Sequence, residues 1–389
     1  MNRNVTPYSN LKIFHHSEIL EKLKKGEHCN PVYIRIKPTN LCNHNCYYCH
    51  YKNPYLKLDE YSPTDFIPHD KMMEIIEDLG RMGVKAVTFS GGGEPLAYQF
   101  IEETMEKVLQ HGIDLSIITN GSLLNGKKAE ILASAKWVRI SIDSIDPKNY
   151  ARNRGISENA LDNLLKNIEH FAKIKNNDCE LGVNFVVNKE NHTEIEQLAV
   201  TMKRLGVNHV KFAPVISNET EKYHEDIKDN VIETLNKLAS ELNSDTFKII
   251  DLYTGDFESK EVFQRLYSRC PMKEFICIIA ANSKVYYCQD KAYLSDGCVC
   301  DLKEQSFYEA WNSEDVIKKF EEFDAMTMCR QHCVHASRNE LINSWLDMAM
   351  THVNFVGLGL SFGNGRSRIL QRVLTWRRGN GISLRYAKT

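Results

Sequence analysis

Three cysteines, Cys42, Cys46 and Cys49, share one short polar stretch with gaps of three and two residues between them. Cuboidal 4Fe-4S clusters normally take four cysteine thiolates, so a set of three leaves one iron with an open coordination position, and an open iron is a reaction site. The same thiols with His44 or His50 would also complete a tetrahedral zinc site, and spacing rules permit both readings. A second set lies far along the chain. Cys270 and Cys288 flank Asn282 to Tyr287, which reads as a turn and a strand, while Cys329 and Cys333 are four apart, as on one helical face. Together they supply four thiolates.

The elements that must position these groups follow from the hydrophobic pattern. Short β-rich runs, Val32 to Lys37, Ala86 to Ser90, Leu115 to Thr119, Val138 to Asp143, Leu181 to Val187 and Val210 to Ala213, alternate with amphipathic stretches. Helices are expected to begin near His69, Phe100, Lys127, Ala160 and Thr193. This alternation predicts a parallel α/β sheet, and six strands are enough for a partial barrel. Such barrels place their chemistry at the C-terminal edge of the sheet. At that edge stand Ser90, Gly91, Gly92, Gly93, Glu94 and Pro95, where glycine permits positive φ and close backbone approach to a ligand. Thr119, Asn120 and Gly121 end the third strand. Ser141 and Asp143 end the fourth on one face, Asn184 interrupts an apolar strand, and Arg152 and Arg154 follow the fourth strand, where they could meet an anionic substrate, although a solvated loop is the expected reading.

The cysteine loop, the glycine-rich turn one strand later and the distal cysteines together resemble the radical S-adenosylmethionine (radical SAM) enzymes. The resemblance runs from residue 32 to 350. It implies that Cys42, Cys46 and Cys49 hold a catalytic 4Fe-4S cluster whose fourth iron is chelated by the amino and carboxylate groups of SAM. It further implies reductive cleavage of SAM to a 5'-deoxyadenosyl radical that abstracts hydrogen from the substrate. Tyr48 matches the family's aromatic against the adenine. Gly91, Gly92, Gly93 and Glu94 match the motif that binds the SAM amino group. Asn120, Ser141, Asp143 and Asn184 are then candidates for the ribose and carboxylate, although Asn120 and Asp143 would equally serve to stabilise the following turns. Cys270, Cys288, Cys329 and Cys333 resemble the ligands of an auxiliary 4Fe-4S cluster in a SPASM or twitch region, with Ser283 where that region usually has glycine. Cys277, Cys298 and Cys300 could substitute as ligands, and Cys298 with Cys300 could form a redox pair or hydrogen-atom donor, but free structural cysteines are commoner. Cys29 and Cys179 read as packing residues, and His332 and His335 as exposed helix positions.

The expected fold is thus α/β, a partial (β/α)6 TIM-like barrel with a small C-terminal cysteine-rich auxiliary cluster domain. The segments are 1–31, the barrel 32–215, a helical connection 216–269, the cysteine-rich region 270–356 with a helix from Asn339 to Met350, and a tail 357–389. That tail holds six arginines and no acidic residue, the composition of a disordered or loosely attached segment, and equally of one foreign to the rest of the reading frame. Across 389 residues, 42% hydrophobic with a formal net charge of -2, there is no basic field to suggest nucleic acid or an anionic membrane. No signal-type or membrane-length run occurs. Clustered cysteines in such a chain indicate a reducing, cytoplasmic compartment. A reducing partner such as flavodoxin or ferredoxin is expected. Only 41 residues precede Cys42, few for a leader-peptide docking domain, so a small molecule such as a sugar or nucleotide derivative is the expected substrate. A peptide maturase is the alternative, and a non-catalytic iron-sulfur or zinc scaffold the reading from another class.

Overall fold

The computed structural model describes residues 10–53, 56–216, 219–258, 265–329 and 333–357. The tail beyond residue 357 and His332 lie outside the described residues. The chain divides into two compact units, residues 1–344 and 345–389, and the described part of the second is helical.

The first unit is organised by one sheet. Its strands are β1 (Tyr33–Ile36), β2 (Ala86–Phe89), β3 (Asp114–Thr119), β4 (Trp137–Ile142), β5 (Glu180–Val187), β6 (His209–Pro214), β7 (Lys248–Asp251), β8 (Ile276–Ile279), β9 (Lys284–Tyr286) and β10 (Cys298–Asp301). They lie in the order β10-β9-β8-β1-β2-β3-β4-β5-β6-β7. The six strands expected from the sequence are present and mutually parallel. Two more parallel strands flank them: β7 beside β6, and β8 beside β1. The β8–β9–β10 meander is antiparallel, so the cysteine-rich segment is hydrogen-bonded into the barrel's own sheet.

Parallel neighbours need long crossovers, which the helices supply. The helix His69–Met82 shows why these stretches pack as they do: Met72, Ile75, Ile76, Leu79 and Met82 are its buried apolar residues, the spacing of one helical face. Burying each such side chain contributes about 1.5–3 kcal/mol. The strands answer with their period of two. Ile34, Ile36, Val87, Phe89, Ile117, Val138, Ile140, Val183, Phe185, Val210 and Phe212 are fully buried in the core under the helices. Residues on the other face, among them Arg35, Arg139, Ser141, Asn184 and Lys211, are half-buried and polar. Part of the inner wall therefore meets solvent, while Lys37, Thr88, Ser90 and Ser116 on the same face are buried, and register sets Ser141 beside Asn184 and Asn184 beside Lys211.

Candidate active site

The cysteine loop leaves the end of β1 and is fastened on three sides. Gly93 N donates to Thr39 O at 2.9 Å and Glu94 N to Leu41 O at 2.9 Å, so the glycine-rich turn and the loop are zipped together. The glycines are needed for that contact: a Cβ on Gly92 would meet Asn40 Oδ1 at 1.7 Å, and one on Gly93 would meet Leu41 O at 1.9 Å. None of Gly91, Gly92 and Gly93 has positive φ, so close approach is what demands glycine here: to the Asn40 side chain at Gly92 and to the loop's backbone at Gly93. On a second side, Asn45 N donates to Arg154 O at 2.7 Å and Tyr47 N to Asn153 O at 3.2 Å, tying the loop to the end of the helix Pro147–Arg154. On the third, Tyr293 Oη donates to Asn40 Oδ1 at 2.5 Å, a tie to the distal cysteine region.

Glu94, 2% exposed, spans the ends of β2 and β3. Its carboxylate accepts from Thr119 Oγ1 at 2.6 Å, Asn120 N at 2.8 Å and Leu96 N at 3.0 Å. Burial raises its pKa, against the pull of those donors. Asn120 secures its own turn by accepting from Ser122 N and Oγ, and its Nδ2 donates to Asn43 Oδ1 in the cysteine loop at 2.9 Å.

Arg154 corrects the sequence reading. It is no solvated loop residue: Nε donates to Asp143 Oδ1 at 2.6 Å with both side chains 4% exposed, and an Nη2 bond reaches Ser141 O. Arg152 does lie at the surface, on Glu190. The Asp143 carboxylate thus belongs to an ion pair, with Tyr48 facing it and Arg154. Ser141 and Asn184 are neighbours on the inner wall, and Asn184 Oδ1 is buried without a hydrogen-bond partner among the described residues. That orphaned acceptor suits a polar ligand.

The donor chemistry of the loop suits a cluster. Burial raises the pKa of Cys42, with Cys46 and Cys49 adding to it, and burial raises that of Cys46, with Cys49 adding to it, so the three thiols lie within range of one another. The His44 N–H points to Cys42 Sγ at 3.5 Å, a donor for a thiolate. His44 itself is buried, and burial with the Arg154 charge drives its pKa down to about 4, leaving it a neutral ring. No three acid, thiol or imidazole groups among the described residues are gathered at single-ion spacing. A cuboidal cluster spreads its thiolates over separate irons, whereas zinc requires its ligands about 2.3 Å from one point.

The distal thiols also gather. Burial pushes Cys270 up to about 12, with Cys333 and Cys329 adding to the shift, and Cys288 feels both Cys270 and Cys333. Cys329 and Cys333 do not share a helical face, however. The short helix Ala325–Met328 stops at Cys329, which is extended, and Cys333 lies outside any helix. Ser283 has φ 59°, so it keeps the left-handed turn that glycine would adopt more easily. Cys277 and Cys300 are buried in the main core and influence each other, apart from this set, and Cys298 lies on the same strand as Cys300. Cys29 and Cys179 are buried, as expected of packing residues. His335 is not an exposed position: it is half-buried against Arg338 Nη1 at 3.1 Å, and burial pushes its pKa down to about 3.

A group between the two cysteine sets has no counterpart in the sequence reading. Lys37, fully buried, donates to Tyr51 Oη at 2.5 Å and sits over the rings of Tyr51 and Tyr293. Tyr51 Oη donates to Gly91 O at 2.8 Å and accepts from Gln289 Nε2 at 3.0 Å. The alternation Tyr33, Arg35, Lys37 against Ile34 and Ile36 is the signal that would have placed Lys37 on the inner wall.

Residues 36–202 match the family described as the Radical SAM superfamily. Over those residues the chain carries a radical SAM domain. It is 30% identical over 155 residues, 39% of this chain and 32% of the relative, to an S-adenosylmethionine-dependent nucleotide dehydratase of Lacinutrix mariniflava. It is also 30% identical over 204 residues, 50% of this chain and 63% of the relative, to a probable GTP 3',8-cyclase of Methanothermobacter marburgensis. The chain thus spans less than two thirds of the length of these curated relatives. Among solved structures, Streptococcus suis SuiB bound to S-adenosylmethionine superposes with a TM-score of 0.59 at 18% identity, covering 80% of this chain and 72% of SuiB. At that identity the likeness is one of fold. No helix among the described residues is long and apolar enough to cross a membrane.

Proposed function

We propose that the chain holds a 4Fe-4S cluster on Cys42, Cys46 and Cys49, binds SAM beside it, and abstracts hydrogen from a small molecule, a sugar or nucleotide derivative. When bound, the cluster and SAM supply a 5'-deoxyadenosyl radical, the hard chemistry that cofactors carry. The observation that carries this reading is the lacing of the cysteine loop to both the Gly91–Gly93 turn and the end of the helix after β4.

In this reading the residues orient and enclose. Gly91, Gly92 and Gly93 bring their backbone against the loop, and Glu94 and Asn120 fix the edge on which SAM would lie. Tyr48, at the Asp143–Arg154 pair, would back the adenine, while Ser141 and Asn184 offer short polar groups from the inner wall. Cys270, Cys288, Cys329 and Cys333 would hold an auxiliary 4Fe-4S cluster, and a flavodoxin- or ferredoxin-type protein would deliver the electron. The nucleotide names of the sequence relatives support a small-molecule substrate. The test is deuterium transfer: labelled sugar nucleotides and nucleoside phosphates are incubated with enzyme, SAM and reductant, and 5'-deoxyadenosine is analysed by mass spectrometry. Label arriving from one of these supports the reading. Label arriving only from a peptide would replace it with peptide modification.

A further inference from the structure

The inner wall of the barrel carries cations. By register and period, Tyr33 and Arg35 of β1, Arg139 of β4 and Lys211 of β6 all fall on it. They are half-buried, in contrast to the fully buried residues that alternate with them. β1 and β4 are three strands apart, roughly 14 Å along a flat sheet. Yet the charges of Arg35 and Arg139 both reach the Tyr33 phenol, which also hydrogen-bonds Thr88 and Arg35. Arg338, from the helix that begins at Ala336, interacts with the same phenol. Curvature of the sheet therefore brings the guanidinium groups of β1 and β4, and one from a helix, within electrostatic range of one phenol, which Arg35 contacts directly.

These groups are held in position. Arg35 Nη1 donates to Gln289 Oε1 at 3.1 Å, and Arg338 Nε to Asn10 Oδ1 at 3.0 Å. Arg35 Nε is buried with no hydrogen-bond partner among the described residues. The nearby acids are few and partly committed: Asp143 lies on Arg154, Glu180 lies 2.9 Å from His209, and Asp290 is the carboxylate whose charge reaches Arg35. Gathering like charges on a half-buried wall is unfavourable, and an anion joining them relieves that cost.

We propose that Arg35, Arg139 and Arg338 form a phosphoryl-binding site within the barrel, deeper than the cysteine loop, that grips a phosphate group of the substrate. A carboxylate offers one edge to one guanidinium fork. A phosphoryl group offers three oxygens and up to two charges, which suits forks arriving from different walls. The assignment of this phosphate to the substrate rests on the proposed function, but its binding does not.

Trp137 provides a reporter, since the Arg139 guanidinium lies 5.9 Å from its ring centre. Full-length reconstituted protein is titrated anaerobically with inorganic pyrophosphate and, separately, with malonate, following tryptophan emission, while SAM binding is measured by equilibrium dialysis. Wild type is expected to give a saturable response to pyrophosphate and none to malonate at the same concentrations. Arg35→Gln and Arg139→Gln are each expected to weaken pyrophosphate binding by about tenfold or more. Arg35→Lys should recover part of that loss, and the surface variant Arg152→Gln should match wild type. SAM affinity should be unchanged throughout. Should a Gln variant fail to fold, shown by lost SAM binding, Arg139→Lys takes its place. No saturable response in a wild type that binds SAM, unchanged pyrophosphate affinity in the folded variants, or equal binding of malonate would each overturn the proposal. Failure of wild type to bind SAM would count against the radical SAM assignment of this site instead.

Discussion

Replacing Arg154 by Met strips Asp143 of its cation while keeping an apolar stem of similar length. In the native protein the pair meets at 2.6 Å with both side chains 4% exposed. Removing one partner of a buried pair leaves an uncompensated charge and costs about 3–5 kcal/mol. A surface pair such as Arg152–Glu190, with side chains 63% and 54% exposed, contributes about 0–1 kcal/mol. At roughly 2 °C of Tm per kcal/mol for a large domain, Arg154→Met should melt on the order of 6–10 °C lower. Arg152→Met should be within about 2 °C of wild type by the same conversion. The Asp143→Leu/Arg154→Met double variant removes both charges and should recover most of the loss. Because the Arg154 and Asn153 carbonyls hold Asn45 and Tyr47, the single variant should also retain less iron after desalting. The assay is thermal melting of anaerobic protein with iron analysis of each variant. A single variant within about 2 °C of wild type, or a double variant as damaged as the single, would refute the reasoning.

Tyr293→Phe should cost about 1–3 kcal/mol by leaving buried Asn40 Oδ1 without its donor, and urea unfolding reads this directly. Gly93→Ala should sharply reduce iron incorporation, since its Cβ would overlap the Leu41 carbonyl; normal iron content would contradict the close-approach account. Glu274 has its pKa lowered, although burial opposes it, by His28 and Lys273. Its stabilisation is complete above the unfolded value near 4.5 and is lost as pH falls through the lower folded value. Glu274→Gln should therefore flatten the acid limb of a stability profile read by Trp311 emission, as Trp311 bonds the neighbouring Cys29 carbonyl; identical limbs would exclude Glu274 as the titrating group.

What could be read from the sequence was local. Cys42, Cys46 and Cys49 announce themselves by type and spacing, and the strands from β1 to β6 by length and flanking turns. β7 and β8 are no shorter than β1 and β2, but they lie in stretches that read as a helical connection and a cysteine-rich region, outside the strand–helix alternation that marked the others. Arg154 and Asp143 are eleven residues apart and meet only because the helix Pro147–Arg154 returns its last turn to the end of β4. The tie from Tyr51 to Gln289 spans 238 residues, which no local pattern can reveal. The spacing of Cys329 and Cys333 suggested one helical face, but a helix break at Cys329 supersedes it. The glycine run was legible as a tight turn, whereas its true constraint, close approach to the cysteine loop, depends on the fold.

The most direct test is reductive SAM cleavage by anaerobically reconstituted wild type and Cys46→Ala, with iron and zinc quantified in the same samples. Wild type should carry roughly eight irons per chain, four for each thiolate set, and release 5'-deoxyadenosine when given dithionite. Cys46→Ala should release none, while Cys329→Ala keeps slow cleavage. Stoichiometric zinc with little iron, or equal 5'-deoxyadenosine from wild type and Cys46→Ala, would contradict the account.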